Sequence, residues 1–248
     1  MTYCVAIKVE SGLILTSDSR TNAGIDHIAS FRKLHVLETP GERVIFIQSA
    51  GNLATTQSVI TLLQTAIRNA ERHVLNVPSL FDVAELVGKT IRQVIKRDEN
   101  ESQGVDFSCS MIVSGQIRGE LPRLFHIYPQ GNFIEAGEDT PYFQVGESKY
   151  GKPILDRVLD FHTPLDQALQ CSLVSMDSTL RSNLSVGMPL DLVCYHADSL
   201  ESGHIIRLQE DDEMFHQVRK NWSEGIKRLF DDMPLMTSDI CQPPARLS

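Results

Sequence analysis

The order of elements in this sequence predicts an α+β fold, a four-layer αββα sandwich in which two stacked antiparallel sheets are flanked by helical layers. Two observations carry that expectation. Apolar residues recur with period two in some blocks and period 3.6 in others, and the blocks run strands, two helices, strands, two helices, strands, helix. That order departs from the strict βαβα alternation of a doubly wound parallel sheet. The chain of 248 residues, 42% hydrophobic and 22% charged, is also long enough to fill such a sandwich as one domain spanning residues 1–248.

Residues 2–9 alternate two sets, Thr2, Cys4, Ala6, Lys8 against Tyr3, Val5, Ile7, Val9, and the second set is uniformly apolar. This pattern predicts a strand with one buried face. Ser11-Gly12 punctuates it and "LILTSDSR" continues as the second arm of a hairpin. Two further strands are expected at 33–38 and 43–49, around a turn containing Pro40-Gly41. Ile60, Leu63, Ile67 and Ala70 then fall at helical spacing and predict a helix from Leu53 to about His73. A second helix runs from Phe81 to about Lys96 after the start signal Pro78-Ser79.

Strands resume at 107–115, 123–129 and 132–137, with Gln130-Gly131 as a turn. A third helix is expected near 150–160. A fourth opens at Pro164, with Leu165, Ala168, Leu169, Ser172, Leu173, Met176 and Leu180 on one face. Strands at 190–197 and 204–210 lead into a last helix carrying Phe215, Val218, Trp222, Ile226 and Leu229, whose acidic start, "EDDEM", suits the helix dipole. The Trp222 stripe reads as packing, within the domain or against a neighbouring subunit. Residues 231–248, with two prolines near the end and little pattern, are expected to form a C-terminal tail.

The net charge of −9 argues against nucleic-acid and anionic-membrane partners, since phosphates would be repelled over most of the surface. Five cysteines, odd in number and with no CxxC pair, read as reduced thiols of a cytoplasmic protein. No apolar run approaches the roughly 18 to 20 residues of a membrane span, and the N-terminus lacks a basic region followed by an apolar core. The histidines His27, His35, His126, His196 and His204 show no metal spacing, so neither a metal nor a cofactor is expected.

Chemistry concentrates in the first fifty residues. If Met1 is removed, Thr2 carries a hydroxyl and a free α-amine on one residue, and the amine is a base for the hydroxyl. An α-amine pKa of roughly 7.7 to 8 leaves a neutral fraction near pH 7, which a nearby cation enlarges. A buried lysine beside it would in turn need a carboxylate. Lys33 and Asp18 can supply that pair. Taken singly these residues are ordinary: a threonine at position two commonly serves only initiator processing, Asp18 a turn and Lys33 a solvated strand end. Cys4 would be an alternative nucleophile only after further trimming, and a structural buried cysteine is the expected reading.

The blocks "TYCVAIKVESGLILTSDSR", "FRKLHVLE" and "RVIFIQSAGNLATTQ" resemble the proteasome β-subunit and HslV branch of N-terminal-nucleophile hydrolases, in which Thr, "DSR", Lys and a Gly before a helix recur in this order. They are most similar to Anbu, the ancestral β-subunit family of bacterial proteasome-like proteins, which "FQVGESKYGKPILDR" and "SMDSTLRSNLSVGMPLDL" also resemble. The resemblance implies the N-terminal-nucleophile hydrolase fold, with Thr2 as nucleophile, Asp18 as partner of Lys33, and Lys33 as the cation that depresses the amine and hydroxyl pKa values. Gly51 would supply an oxyanion N–H, and Thr21, Asn22 and Ser49 would line the substrate cleft. Proteasome β subunits carry a "GSGS"-like turn whose serine touches the amine. Here Glu147 holds that place in an ungapped alignment, and Ser148 after a one-residue shift. Ser185 matches a second polar contact to the amine, while Ser182 replaces an expected aspartate.

The function this implies is threonine-type hydrolysis of amide bonds in peptides, by a homo-oligomeric ring or helical assembly. An amidohydrolase acting on a small amide or isopeptide, and a ring scaffold with weak or no catalysis, are the alternatives. The resemblance leaves an ATP-driven unfoldase partner open. With no propeptide expected ahead of Thr2, ordinary methionine removal would expose the nucleophile.

Overall fold

In the computed structural model, which describes residues 1–22, 28–99 and 104–234, the chain opens with the hairpin β1 (Tyr3–Val9) and β2 (Gly12–Ser17). Two short strands, β3 (Arg20–Asn22) and β4 (Ile28–Ser30), pair only with each other. β5 (Leu34–Thr39) and β6 (Arg43–Gly51) follow, then the helices α1 (Leu53–Arg68) and α2 (Leu80–Glu99). β7 (Cys109–Ile117), β8 (Arg123–Ile127), β9 (Phe133–Glu135) and β10 (Tyr142–Gly146) lead to α3 (Lys152–Val158) and α4 (Leu165–Ser182). The chain finishes with β11 (Leu190–His196), β12 (Ile206–Leu208) and α5 (Glu213–Asp232), so the first residues of the expected tail are helical and 235–248 lie outside the described residues.

Two five-stranded antiparallel sheets result, one in the order β10-β1-β2-β11-β12 and one in the order β5-β6-β7-β8-β9. Each has an inner face against the other sheet and an outer face under helices, which gives the αββα sandwich. Three apolar layers follow. Ile45, Ile47, Met111 and Phe125 pack under α1 and α2, and Tyr3, Val5, Ile7 and Leu190 pack under the helices of the other side. Cys4, Ala6, Leu15, Phe46 and Val193 fill the space between the sheets. β1 therefore buries both faces, not the single face its alternation predicts, because its sheet is covered on both sides.

Local chemistry sets several boundaries. Asn52 caps α1 by accepting from the Thr55 N–H at 3.2 Å, and Ser79 caps α2 by accepting from the Asp82 N–H at 3.1 Å. α1 ends at Arg68, not near His73, where Ala70 turns to φ 54°. Asp212 caps α5 through the Phe215 N–H, so the acidic run does open this helix. Of the apolar stripe on α5 only Phe215 is fully buried, while Leu229 and Phe230 are 61% and 67% exposed. A part-buried pair, Arg219 to the buried Asp177 at 2.7 Å, ties α5 to α4.

Sequence periodicity missed β10, and also the small β3–β4 pair. β10 is a five-residue edge strand whose Tyr142, Phe143 and Val145 are all buried, so it offers no clean alternation. It matters because it delivers Gly146 and Glu147 to the start of β1.

Candidate active site

The β1–β2 register places Cys4 opposite Ser17, so Thr2 and Asp18 fall together at one end of the hairpin. The Tyr3 N–H donates to Asp18 Oδ1 at 3.0 Å, and the Asp18 N–H donates to the Tyr3 carbonyl at 3.0 Å. On the other sheet, the Ser49 N–H donates to the Lys33 carbonyl at 3.0 Å, fixing Lys33 just ahead of β5. From there Lys33 Nζ reaches Asp18 Oδ1 at 2.7 Å and the Arg20 carbonyl at 2.7 Å. The Gly187 N–H donates to Asp18 Oδ2 at 3.3 Å. Lys33 is 5% exposed and Asp18 fully buried, so the pair is sealed on its inner side.

A cleft of about 890 Å³ opens over this corner. Thr2, Lys33, Gly51, Thr21 and Ser49 all contribute to its lining, with Asp18 behind Lys33. Gly51, at the end of β6, has φ +112°, and an added Cβ would lie 2.5 Å from the Ser108 carbonyl oxygen and 2.7 Å from Cys109 Cα. No other residue fits there without moving backbone. Gly146 closes the opposite side with φ +87°, so near to Thr2 that a Cβ would fall 1.9 Å from the Thr2 carbonyl oxygen.

Next to Gly146 the Glu147 N–H donates to the Thr2 carbonyl at 2.7 Å, and the buried Glu147 side chain accepts from Asn183 Nδ2 at 3.0 Å. Asn183 Oδ1 in turn accepts from the Ser185 N–H at 2.9 Å. The Ser148 carbonyl accepts from the Lys152 N–H at the start of α3. Neither Ser148 nor Ser185 is part of the cleft lining. The side chain of Asn22 lies outside the described residues, as do His27 and Cys241.

Burial pushes the Asp18 carboxyl up, opposed by Lys33 and by the Tyr3 and Gly187 amides. The α-amine, carried here by Met1, is held below its ordinary 8.0 by burial and then by Lys33, with Asp18 opposing. Burial also raises the Cys4 thiol, which donates weakly to the Ser49 carbonyl at 3.7 Å and is therefore a packed residue without nucleophile character.

Reasoning from sequence overlooked five contributors. Arg20 supplies the second acceptor for Lys33, and its guanidinium lies against Gly187 while donating to the Leu184 carbonyl at 3.0 Å. Gly187 braces Asp18, Gly146 admits Thr2, and Arg32 and His35 line the cleft. The arginine of "SDSR" and the glycine of "NLSVG" were visible as motif members, but no local signal tells that they meet.

The proteasome-subunit family profile matches residues 2–192. Among solved structures, an Anbu (ancestral beta-subunit) from Yersinia bercovieri is 57% identical over 95% of this chain and 99% of its own, with a TM-score of 0.91. The helical assembly of the Anbu complex from Pseudomonas aeruginosa is 56% identical over 98% of each chain, with a TM-score of 0.91. An Anbu from a Hyphomicrobium species is 44% identical over 95% of this chain and 100% of its own, with a TM-score of 0.87. No curated protein matches the chain.

Proposed function

This chain belongs to the proteasome-subunit family, within its Anbu (ancestral beta-subunit) group, and from that premise we propose that it is a threonine-type N-terminal-nucleophile peptidase acting through Thr2 after Met1 is removed. The observation that carries the reading is the sealed Lys33–Asp18 pair, 2.7 Å apart, on the wall of the cleft that Thr2 and Gly51 also line. While Met1 is attached, the Thr2 nitrogen is an amide and has no basicity to offer.

Once freed, the amine takes the Thr2 hydroxyl proton as Oγ attacks a substrate carbonyl. The Gly51 N–H receives the oxyanion, where preorganised donors act most strongly. Collapse breaks the C–N bond, the ammonium returns its proton to the leaving amine, and an acyl-threonine ester remains. Water, deprotonated by the same amine, then releases the acid and restores the hydroxyl. Lys33 keeps the amine neutral at lower pH, and Asp18 holds Lys33 in place. Glu147, bonded through its N–H to the Thr2 carbonyl and anchored by Asn183, takes the positioning role that family members give to a serine.

The protein works as a homo-oligomer in this reading, supported by the helical assembly of the Pseudomonas relative and by Leu229 and Phe230, which α5 leaves exposed. A scaffold with weak or no catalysis is the competing reading, favoured by Ser148 and Ser185 lying off the cleft lining. The test joins two measurements on one preparation: the mass of the N-terminal peptide, and covalent labelling by a β-lactone or epoxyketone. Protein with Thr2 free should label, and Thr2→Ala should not label while keeping its fold. Equal labelling of that variant, or none of the wild type with Thr2 exposed, overturns the proposal.

A further inference from the structure

The chain carries 32 acidic against 23 basic residues, yet no carboxylate lines the cleft among the described residues. Its ionisable side chains are Arg32, Lys33 and His35. Lys33 is committed to Asp18 and to the Arg20 carbonyl. His35 is kept neutral, its pKa lowered by burial and by Arg32. Arg32 is different. It is exposed on the cleft wall, one residue from Lys33, and makes no hydrogen bond or ion pair with another described residue. The buried carboxylate that feels its charge, Asp191, is already bridged by Arg207 at 3.0 and 3.2 Å.

A guanidinium presents planar, forked donors that match a carboxylate, and it keeps its charge at every physiological pH. In an otherwise acidic protein, a cleft with one uncommitted cation and no anion attracts negative groups selectively, because the surrounding surface repels them. The cleft also offers Phe31, Leu53 and Ile60 as apolar walls for the stem of a side chain. A glutamate or aspartate side chain satisfies both features, whereas a lysine would meet Arg32 as a like charge.

We propose that Arg32 makes this cleft selective for substrates bearing a carboxylate side chain at the residue held beside Thr2, so that the substrate class is acidic peptides or small acidic amides. The inference rests on the cleft being the substrate site but not on the cleft being catalytically active, and binding can test it alone. Full-length Thr2→Ala protein would be titrated calorimetrically with acetylated, amidated tetrapeptides differing only in Glu, Gln or Lys at one position. The corresponding single-residue amides form a second arm that separates a peptide from a small-amide source of the carboxylate.

The Glu ligand should bind about fivefold to tenfold tighter than Gln, the difference between a charge-assisted and a neutral hydrogen bond, and Lys should bind weakest. The preference should shrink in high salt, since Arg32 is exposed to solvent. Arg32→Ala should abolish it and Arg32→Glu should turn it toward Lys. Equal affinities for Glu and Gln, a preference that survives Arg32→Ala, or no binding by any ligand overturns the proposal. Failure of Thr2 labelling with a neutral electrophile would instead strike the catalytic reading and leave this result standing.

Discussion

At the inner end of the cleft each polar group has more than one tie, whereas at its rim Arg32 has none among the described residues. Asp18 accepts from Lys33, Tyr3 and Gly187, and Lys33 donates to both Asp18 and Arg20. The inner corner is thereby fixed before substrate arrives, which is what an electrostatic catalyst requires. The rim keeps its charge uncommitted, which suits recognition. Substitutions at the inner end should therefore change folding and chemistry together, and those at the rim should change only selection.

The sharpest way to break the contrast is Lys33→Ala. It leaves the Asp18 carboxylate buried without its counter-charge, and the expected loss is about 3–5 kcal/mol of stability by denaturant titration. Turnover should fall by about 10²- to 10⁴-fold in whatever amide substrate is found, as for removal of a positioned acid–base group. A stability change below about 1 kcal/mol would mean the pair is not sealed as described.

Gly51→Ala comes next. With φ +112° and a Cβ aimed at the Ser108 carbonyl, it should lose roughly 1–3 kcal/mol and depress labelling of Thr2. A full-rate, fully stable variant would remove Gly51 from the oxyanion role.

A subtler effect is on pH. The base must be neutral to act, and the Lys33 cation beside the freed Thr2 amine favours the neutral form, so the acidic limb of the labelling rate should lie below the ordinary α-amine range of roughly 7.7 to 8. Removing Lys33 deletes a lowering influence and leaves Asp18, which raises the amine pKa, so in Lys33→Ala the limb should move to higher pH. An unmoved limb would show that the titrating group lies elsewhere.

The smallest expected effect is at the rim. Arg32→Ala should unfold within about 0.5 kcal/mol of the parent, because the side chain makes no hydrogen bond or ion pair among the described residues. A larger loss would make Arg32 a structural residue and erase the difference between the two ends of the cleft.

Much of this arrangement could be read from the chain. The alternation of residues 2–9 marked β1, apolar runs beside turn residues marked β2, β6 and β7 to within about three residues, and Ser79 and Asp212 marked the starts of α2 and α5 through capping chemistry that acts within three residues. Thr2, Asp18, Lys33 and Gly51 stood out together because they fall in ordered motifs within the first fifty residues. β10 did not stand out, since in five residues with Tyr142, Phe143 and Val145 all buried there is no clean alternation to detect.

What the sequence determined alone was whatever depends on near neighbours: element type, caps, turns and the donors and acceptors available for chemistry. Only the tertiary structure decided that Gly187 braces Asp18 across 169 residues, that Gly146 and Glu147 close on Thr2, and that Arg32 lines the same cleft as Thr2. The reason is physical. Those contacts arise where the ends of two packed sheets converge, and their geometry is set by strand order and register, which no local pattern of side chains encodes.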